Sequence, residues 1–174
     1  EQRQALTSAP DPRIHATRAE LDQAAALYRD LERELAHAWQ TYGEIDAVHE
    51  QIAASSKNAA PTIKRALETF DEKLTPFRAG KGETAPNIGA IAGELTSLAT
   101  DIEAVDAAPT DAQQNVFADY RGRLARASER WSATKQNDLA ALNRTLTAAG
   151  AREIHVPTLD EIHIGEAPES KDLP

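Results

Sequence analysis

Five histidines are the first residues to weigh, because imidazole titrates near neutral pH and is a common metal ligand. Two of them recur in near-identical surroundings: Glu153-Ile154-His155-Val156 and Glu161-Ile162-His163-Ile164, eight residues apart. With Glu153 or Glu161 they offer the nitrogen and oxygen ligands that zinc accepts. The spacing matches no established ligand pattern, so surface positions on a strand-like segment are the simpler reading. No metal ligand is assigned. His49 falls on a heptad seam and is expected to be a polar register residue in a bundle core, with His37 half exposed beside it.

Carboxylates are abundant: Asp30, Glu32 and Glu34; Asp101 and Glu103; Asp160 and Glu161. General acid–base work needs two of them facing one pocket. These fall instead on outward helix faces near Arg29, Arg33 and Lys64, as a solvated surface would. Ser55, Ser97, Ser128 and Ser132 have no glycine elbow and no evident histidine partner. Gly80-Lys81-Gly82 is too short for a phosphate loop and lacks the preceding strand. Tyr28, Trp39, Tyr42, Tyr120 and Trp131 form an aromatic series that a sugar could stack on, but their helical spacing favours core packing. The residues therefore yield no catalytic, cofactor-binding or metal set, and the chain reads as a scaffold without a cofactor.

The elements that carry these residues are legible. Pro10-Asp11-Pro12 marks residues 1–16 as an extended leader. Thr17-Arg18-Ala19-Glu20 is a capping box. From it, Leu21, Ala24, Tyr28, Leu31, Leu35, Ala38, Tyr42, Ile45, His49 and Ile52 recur in steps of three and four, which predicts a helix from about 18 to 56. Ser55 to Ala60 breaks it, and Pro61 suits a new first turn. Ile63, Leu67, Phe70 and Leu74 stripe a second helix that Pro76 should end or kink, before a Gly-rich loop. Asn87 can cap a third helix seamed by Ile88, Ile91, Leu95, Leu98, Ile102 and Val105. Thr110 can cap a fourth, running through Phe117, Tyr120, Leu124, Ala127, Trp131, Leu139, Leu142 and Leu146 to Gly150. The step of eight between Trp131 and Leu139 is a phase shift that should relax any supercoil there.

The expected fold is all-α: an antiparallel up-down four-helix bundle with two long and two short helices over residues 17–150, plus an extended C-terminal tail over 151–174. Short connections predict that the second helix returns, the third ascends and the fourth descends full length. That arrangement leaves a two-helix stalk with both chain ends at its base. The tail is expected to form a short hairpin or to lie along the bundle, and to be dispensable for the helices.

Composition removes several partners. A net charge of -9 disfavours nucleic acid, whose phosphates need basic patches. No apolar run approaches the roughly 20 residues of a membrane helix, so membrane insertion is not expected. The absence of cysteine excludes disulfides and thiolate sites. The chain begins at Glu1, which implies a processed chain or a piece of a longer one.

Several stretches in order resemble the C-terminal region of bacterial proteins with BNR-type, sortilin-like β-propellers, which carry glycosyl hydrolase or sialidase-like labels. They are Asp11-Pro12-Arg13-Ile14, Leu27-Tyr28 with Leu31, Phe70-Asp71 with Lys73-Leu74, Gly93-Glu94-Leu95, and Trp131 followed by Asp138-Leu139-Ala140-Ala141-Leu142-Asn143. The pattern covers roughly residues 11–150. The resemblance implies a non-catalytic helical appendage of an exported, periplasmic or extracellular propeller protein, with the catalytic and Asp-box residues in the propeller and none here. It would pack on its own propeller or form a homo-oligomer. The alternatives are a free-standing periplasmic or surface bundle that binds a partner, and, more weakly, a small metalloprotein using the tail histidines.

Overall fold

A computed structural model describes residues 17–82, 85–103 and 108–158. The leader, Val105 and the second tail copy at 161–164 lie outside the described residues. Within them every regular element is helical: α1 (Arg18–Ser56), α2 (Pro61–Ala79), α3 (Ile88–Glu103), α4 (Asp111–Ala133), a π-helical turn (Thr134–Leu139) and α5 (Ala140–Ala148). The protein is an all-α helical bundle with two long legs and two short helices, the last long leg being α4, the π turn and α5 in line.

The helix starts follow the sequence signals. At α1 the Thr17 hydroxyl accepts from the Glu20 amide at 3.3 Å, while the Glu20 carboxylate accepts from the Thr17 amide at 2.6 Å. Thr110 and Gln113 repeat this reciprocal cap at α4. At α3 the Asn87 carboxamide oxygen accepts from the Ala90 amide at 3.0 Å and its nitrogen donates to the Gly80 carbonyl at 3.0 Å. That second bond ties the start of α3 to the end of α2. The last leg ends at Gly150, whose φ of 67° suits a residue without Cβ, and the Ala151 amide reaches back to the Leu146 carbonyl at 2.9 Å.

Pro76 does not end α2. The helix continues through it to Ala79, because only one backbone bond is lost near the C-terminus and the buried Phe77 holds the last turn in the core. Gly80 stops it: a Cβ there would lie 2.3 Å from the Pro76 carbonyl oxygen, so a side chain cannot be accommodated without moving the backbone.

The legs run in a different order from the expected stalk. Upward along α1, Ser128 meets His37, Trp131 and Lys135 meet Glu44, and His155 meets Gln51. The last leg is therefore parallel to α1. α2 descends from the top of α1, with Asp71 at His49 and Arg78 at Asp46. α3 then takes over where α2 leaves off, with the Tyr42 ring over Gly89, and continues downward antiparallel to α4. The two short helices are successive halves of one descending leg. Their 19 and 16 residues span about 50 Å together, matching the 55–60 Å of each long leg at 1.5 Å per residue. The chain enters the rod at one end and leaves the last helix at the other, so no two-helix stalk forms.

The core follows from this course. Leu31, Ala38, Ile45, Val48 and Ile52 of α1 meet Leu67, Phe70, Leu74 and Phe77 above, and Ile88, Ile91, Leu95 and Leu98 below. Phe117, Leu124, Ala127, Trp131, Leu139, Leu142 and Leu146 close the third side. The buried face of α1 is rotated from the strict heptad: Thr41 and Val48 are buried, while Tyr42 and His49 lie on the flank. Trp39, expected in the core, is 43% exposed and meets Tyr42 edge-on. The phase shift after Trp131 is absorbed locally. The π turn takes up one extra residue, so Trp131 and Leu139, eight apart, both remain buried.

Candidate functional site

Three polar constellations sit on this rod. The first is at the top, where residues 151–158 run extended against the end of the bundle without a strand partner among the described residues. The Asn143 carboxamide on α5 accepts from the Ile154 amide at 2.9 Å and donates to the Ile154 carbonyl at 2.7 Å. The Gln51 carboxamide on α1 does the same for the next residue: it accepts from the His155 amide at 3.1 Å and donates to its carbonyl at 2.8 Å. In an extended chain, successive residues present their N–H and C=O to opposite sides. One carboxamide on each flank therefore satisfies the segment as two neighbouring strands would. Ile154 is buried in the bundle core, Pro157 is buried and Val156 is partly buried. The Thr147 hydroxyl donates to Glu153 at 2.6 Å. Of the two courses expected for the tail, a short hairpin or a path along the bundle, residues 151–158 follow the second, as an extended segment clamped between α1 and α5.

The second constellation is at mid-height, where α2 gives way to α3. Glu44 Oε2 accepts from Trp131 Nε1 at 2.9 Å and from Lys135 Nζ at 2.7 Å. The Lys135 ammonium also lies 5.5 Å from the Trp131 ring centroid, and Phe77 meets that ring edge-on. The π turn carries Lys135 and Asp138, and Asp138 pairs with Lys73 of α2. A distorted helix turn thus supplies one charge to α1 and one to α2.

The third is a cleft of about 960 Å³ between the α2–α3 connection, α3 and α4, bordered by Asn87, Glu94, Asn115, Tyr120, Arg123 and Arg126. Glu94 and Arg123 approach to 2.8 Å across it, with the guanidinium 5.7 Å from the Tyr120 centroid. The ion pair is close but poorly aligned, since Glu94 Oε2 and Arg123 Nε have no hydrogen-bond partner.

Two juxtapositions went unseen in the sequence. Ser128 Oγ lies 3.3 Å from His37 Nε2, so that serine does have a histidine partner, 91 positions away. Glu34-Leu35-Ala36-His37 also carries the Glu-x-x-His spacing of di-metal bundles. Neither arrangement reaches the chemistry its residue types suggest. His37 is exposed, and Ser128 sits mid-helix, where the neighbouring amides are already bonded and no pair is left over to hold an oxyanion. Glu34 and His37 lie off the buried stripe of α1, and among the described residues no group of three His, Cys, Asp or Glu side chains converges.

His49, expected in the core, is half-buried on the flank of α1 with its Nδ1 2.6 Å from Asp71. His155 is exposed, with only its backbone engaged; His163 and Glu161 lie outside the described residues. Of the carboxylates named from sequence, Asp30 pairs with Arg33 on its own helix at 2.9 Å. The Glu20 carboxyl is held below its ordinary value by the Thr17 hydroxyl and then by the Thr17 amide.

Comparison with protein-family models, curated proteins and solved structures returned no match. The likeness to propeller C-terminal regions rests on the sequence pattern alone. Among the described residues, no helix is long and apolar enough to cross a membrane.

Proposed function

We propose that this chain is a non-catalytic helical scaffold and interaction module, forming the C-terminal part of a larger exported protein with a BNR-type, sialidase-like β-propeller. The observation that carries the scaffold reading is the course of the chain: it enters a rod 55–60 Å long at the foot of α1 and leaves the last helix at the opposite end. A bundle of that form separates what is attached at its two ends. Its cross-helix polar contacts, from His49–Asp71 to Glu44–Trp131, tie helices to one another and so set their register. The propeller assignment comes from the ordered residues Asp11 to Asn143 quoted above. In this reading the propeller lies at the foot of α1, and the tail-bearing end projects away from it.

The test is the mass of the native product in its source, detected with an antibody to the bundle. A product large enough to include propeller repeats supports the assignment. A native species of this chain's own size removes it, and leaves a free-standing bundle that binds a partner at the periplasm or cell surface.

A further inference from the structure

The clamp at the top of the rod is selective in what it reads. On the tail, Asn143 and Gln51 bond backbone groups of residues 154 and 155 alone, so they place no demand on side-chain identity there. Side-chain demands come from three neighbours: Thr147 takes an acidic oxygen from residue 153, the core takes Ile154, and a partly buried position takes the β-branched Val156. The side chain of His155 is exposed. Backbone bonds giving affinity, with pockets for selected side chains giving specificity, is the logic of strand addition.

The chain contains a second segment that meets each of these demands. Glu161, Ile162, His163 and Ile164 repeat the acid, the isoleucine, the indifferent position and the β-branched residue in the same order. The one feature not repeated is the buried Pro157, replaced by Gly165. We propose that the α1–α5 groove is a recognition site for an extended acidic-Ile-x-β-branched segment, and that residues 161–164 of the same chain are its second ligand, taking the place of 153–156 by an eight-residue shift.

Chain length explains why the first copy holds the groove. Three residues separate Gly150 from Ile154, whereas eleven would separate it from Ile162. Loop closure weakens only as the three-halves power of length, so the longer loop disfavours the second copy by a factor on the order of ten. The two registers are thus within reach of each other, and any change that evicts Ile154 hands the groove to Ile162. The inference goes beyond the scaffold reading and holds whether or not a propeller precedes the chain.

The experiment is a double-mutant cycle on the full chain with Ile154→Asp and Ile162→Asp, read by thermal melting and by hydrogen exchange of the tail amides. Ile162→Asp alone should leave the melting temperature unchanged. Ile154→Asp alone should lower it by less than half of what the double variant loses, because the second copy refills the groove. In Ile154→Asp, protection should move from the amides of residues 154 and 155 to those of 162 and 163, and adding Asn143→Leu should abolish it there. The exchange readout stands even where melting shifts are small. Equal melting temperatures for Ile154→Asp and the double variant, with residues 162 and 163 unprotected, overturn the proposal. A concentration-dependent dimer of Ile154→Asp overturns it too, by placing the second copy in another molecule's groove.

Discussion

The upper and lower halves of the rod are held by different means. Below the α2–α3 break, α1, α3 and α4 meet through aliphatic and aromatic side chains, Leu31 and Ala38 of α1 sharing a core with Ile91, Leu95 and Leu98 of α3 and Phe117 and Leu124 of α4. Glu94–Arg123 is the one salt bridge joining two helices there among the described residues. Above the break, polar ties join the elements repeatedly among the described residues: His49–Asp71 and Asp46–Arg78 between α1 and α2, Lys73–Asp138 between α2 and the π turn, Glu44 to Trp131 and Lys135, and the two carboxamides that hold the tail. A smooth apolar seam gives affinity but tolerates sliding. Directional polar contacts fix register at little net gain in stability. The upper half is also where the helix leg becomes π-helical and where an extended segment must be seated, so it is where register has to be specified.

Substitutions can break this contrast, beginning with the largest effect. Trp131→Ala removes the buried ring at the boundary of the two halves and should cost about 3–5 kcal/mol in chemical denaturation. An unchanged midpoint would place the ring outside the core. Leu95→Ala in the lower half should cost about 2–4 kcal/mol, with a transition midpoint that does not depend on salt. Glu44→Ala strips the indole N–H and Lys135 of their shared acceptor and should cost about 1–3 kcal/mol, less than either core truncation. Lys73→Ala removes a partly exposed pair and should cost at most about 1 kcal/mol, a loss that vanishes as salt is raised.

The smallest effect concerns pH at the foot of α1. The Glu20 carboxyl titrates below its ordinary value of 4.5 in the folded chain because Thr17 bonds the charged form. Its contribution is therefore fully present above about 4.5 and is lost as pH falls through the lower folded value. Hydrogen exchange of the first-turn amides should show fraying in that window for the native chain. In Glu20→Gln the same amides should show no such step.

Much of the fold was legible in the sequence because its signals are local. Thr17, Asn87, Thr110 and Gly150 each set a helix boundary with their own atoms, and the step of eight from Trp131 to Leu139 marked the place where a π turn takes up one residue. The direction of α3 was not legible. The connection from Gly80 to Asn87 is long enough to reverse or to continue, and only the match between the joint length of α2 and α3 and that of the long legs favours continuation. His49 was misplaced because a strict heptad describes packing against one neighbour, whereas α1 packs against three; Trp39 was placed by its helical spacing from other aromatics, which does not say which face is buried. The Ser128–His37 contact and the Gln51 half of the tail clamp join residues about 90 and 100 positions apart, and nothing in local spacing encodes them.

The course of the legs is the central claim, and a single distance tests it. The chain has no cysteine, so spin labels placed at Asp22→Cys and Ala148→Cys, both exposed, report one pair. Pulsed dipolar spectroscopy should give a distance of about 50 Å, the rise of α1 between the heights of the two labels. A distance under about 20 Å would put both ends of the helical region together at one end of the bundle and contradict the account.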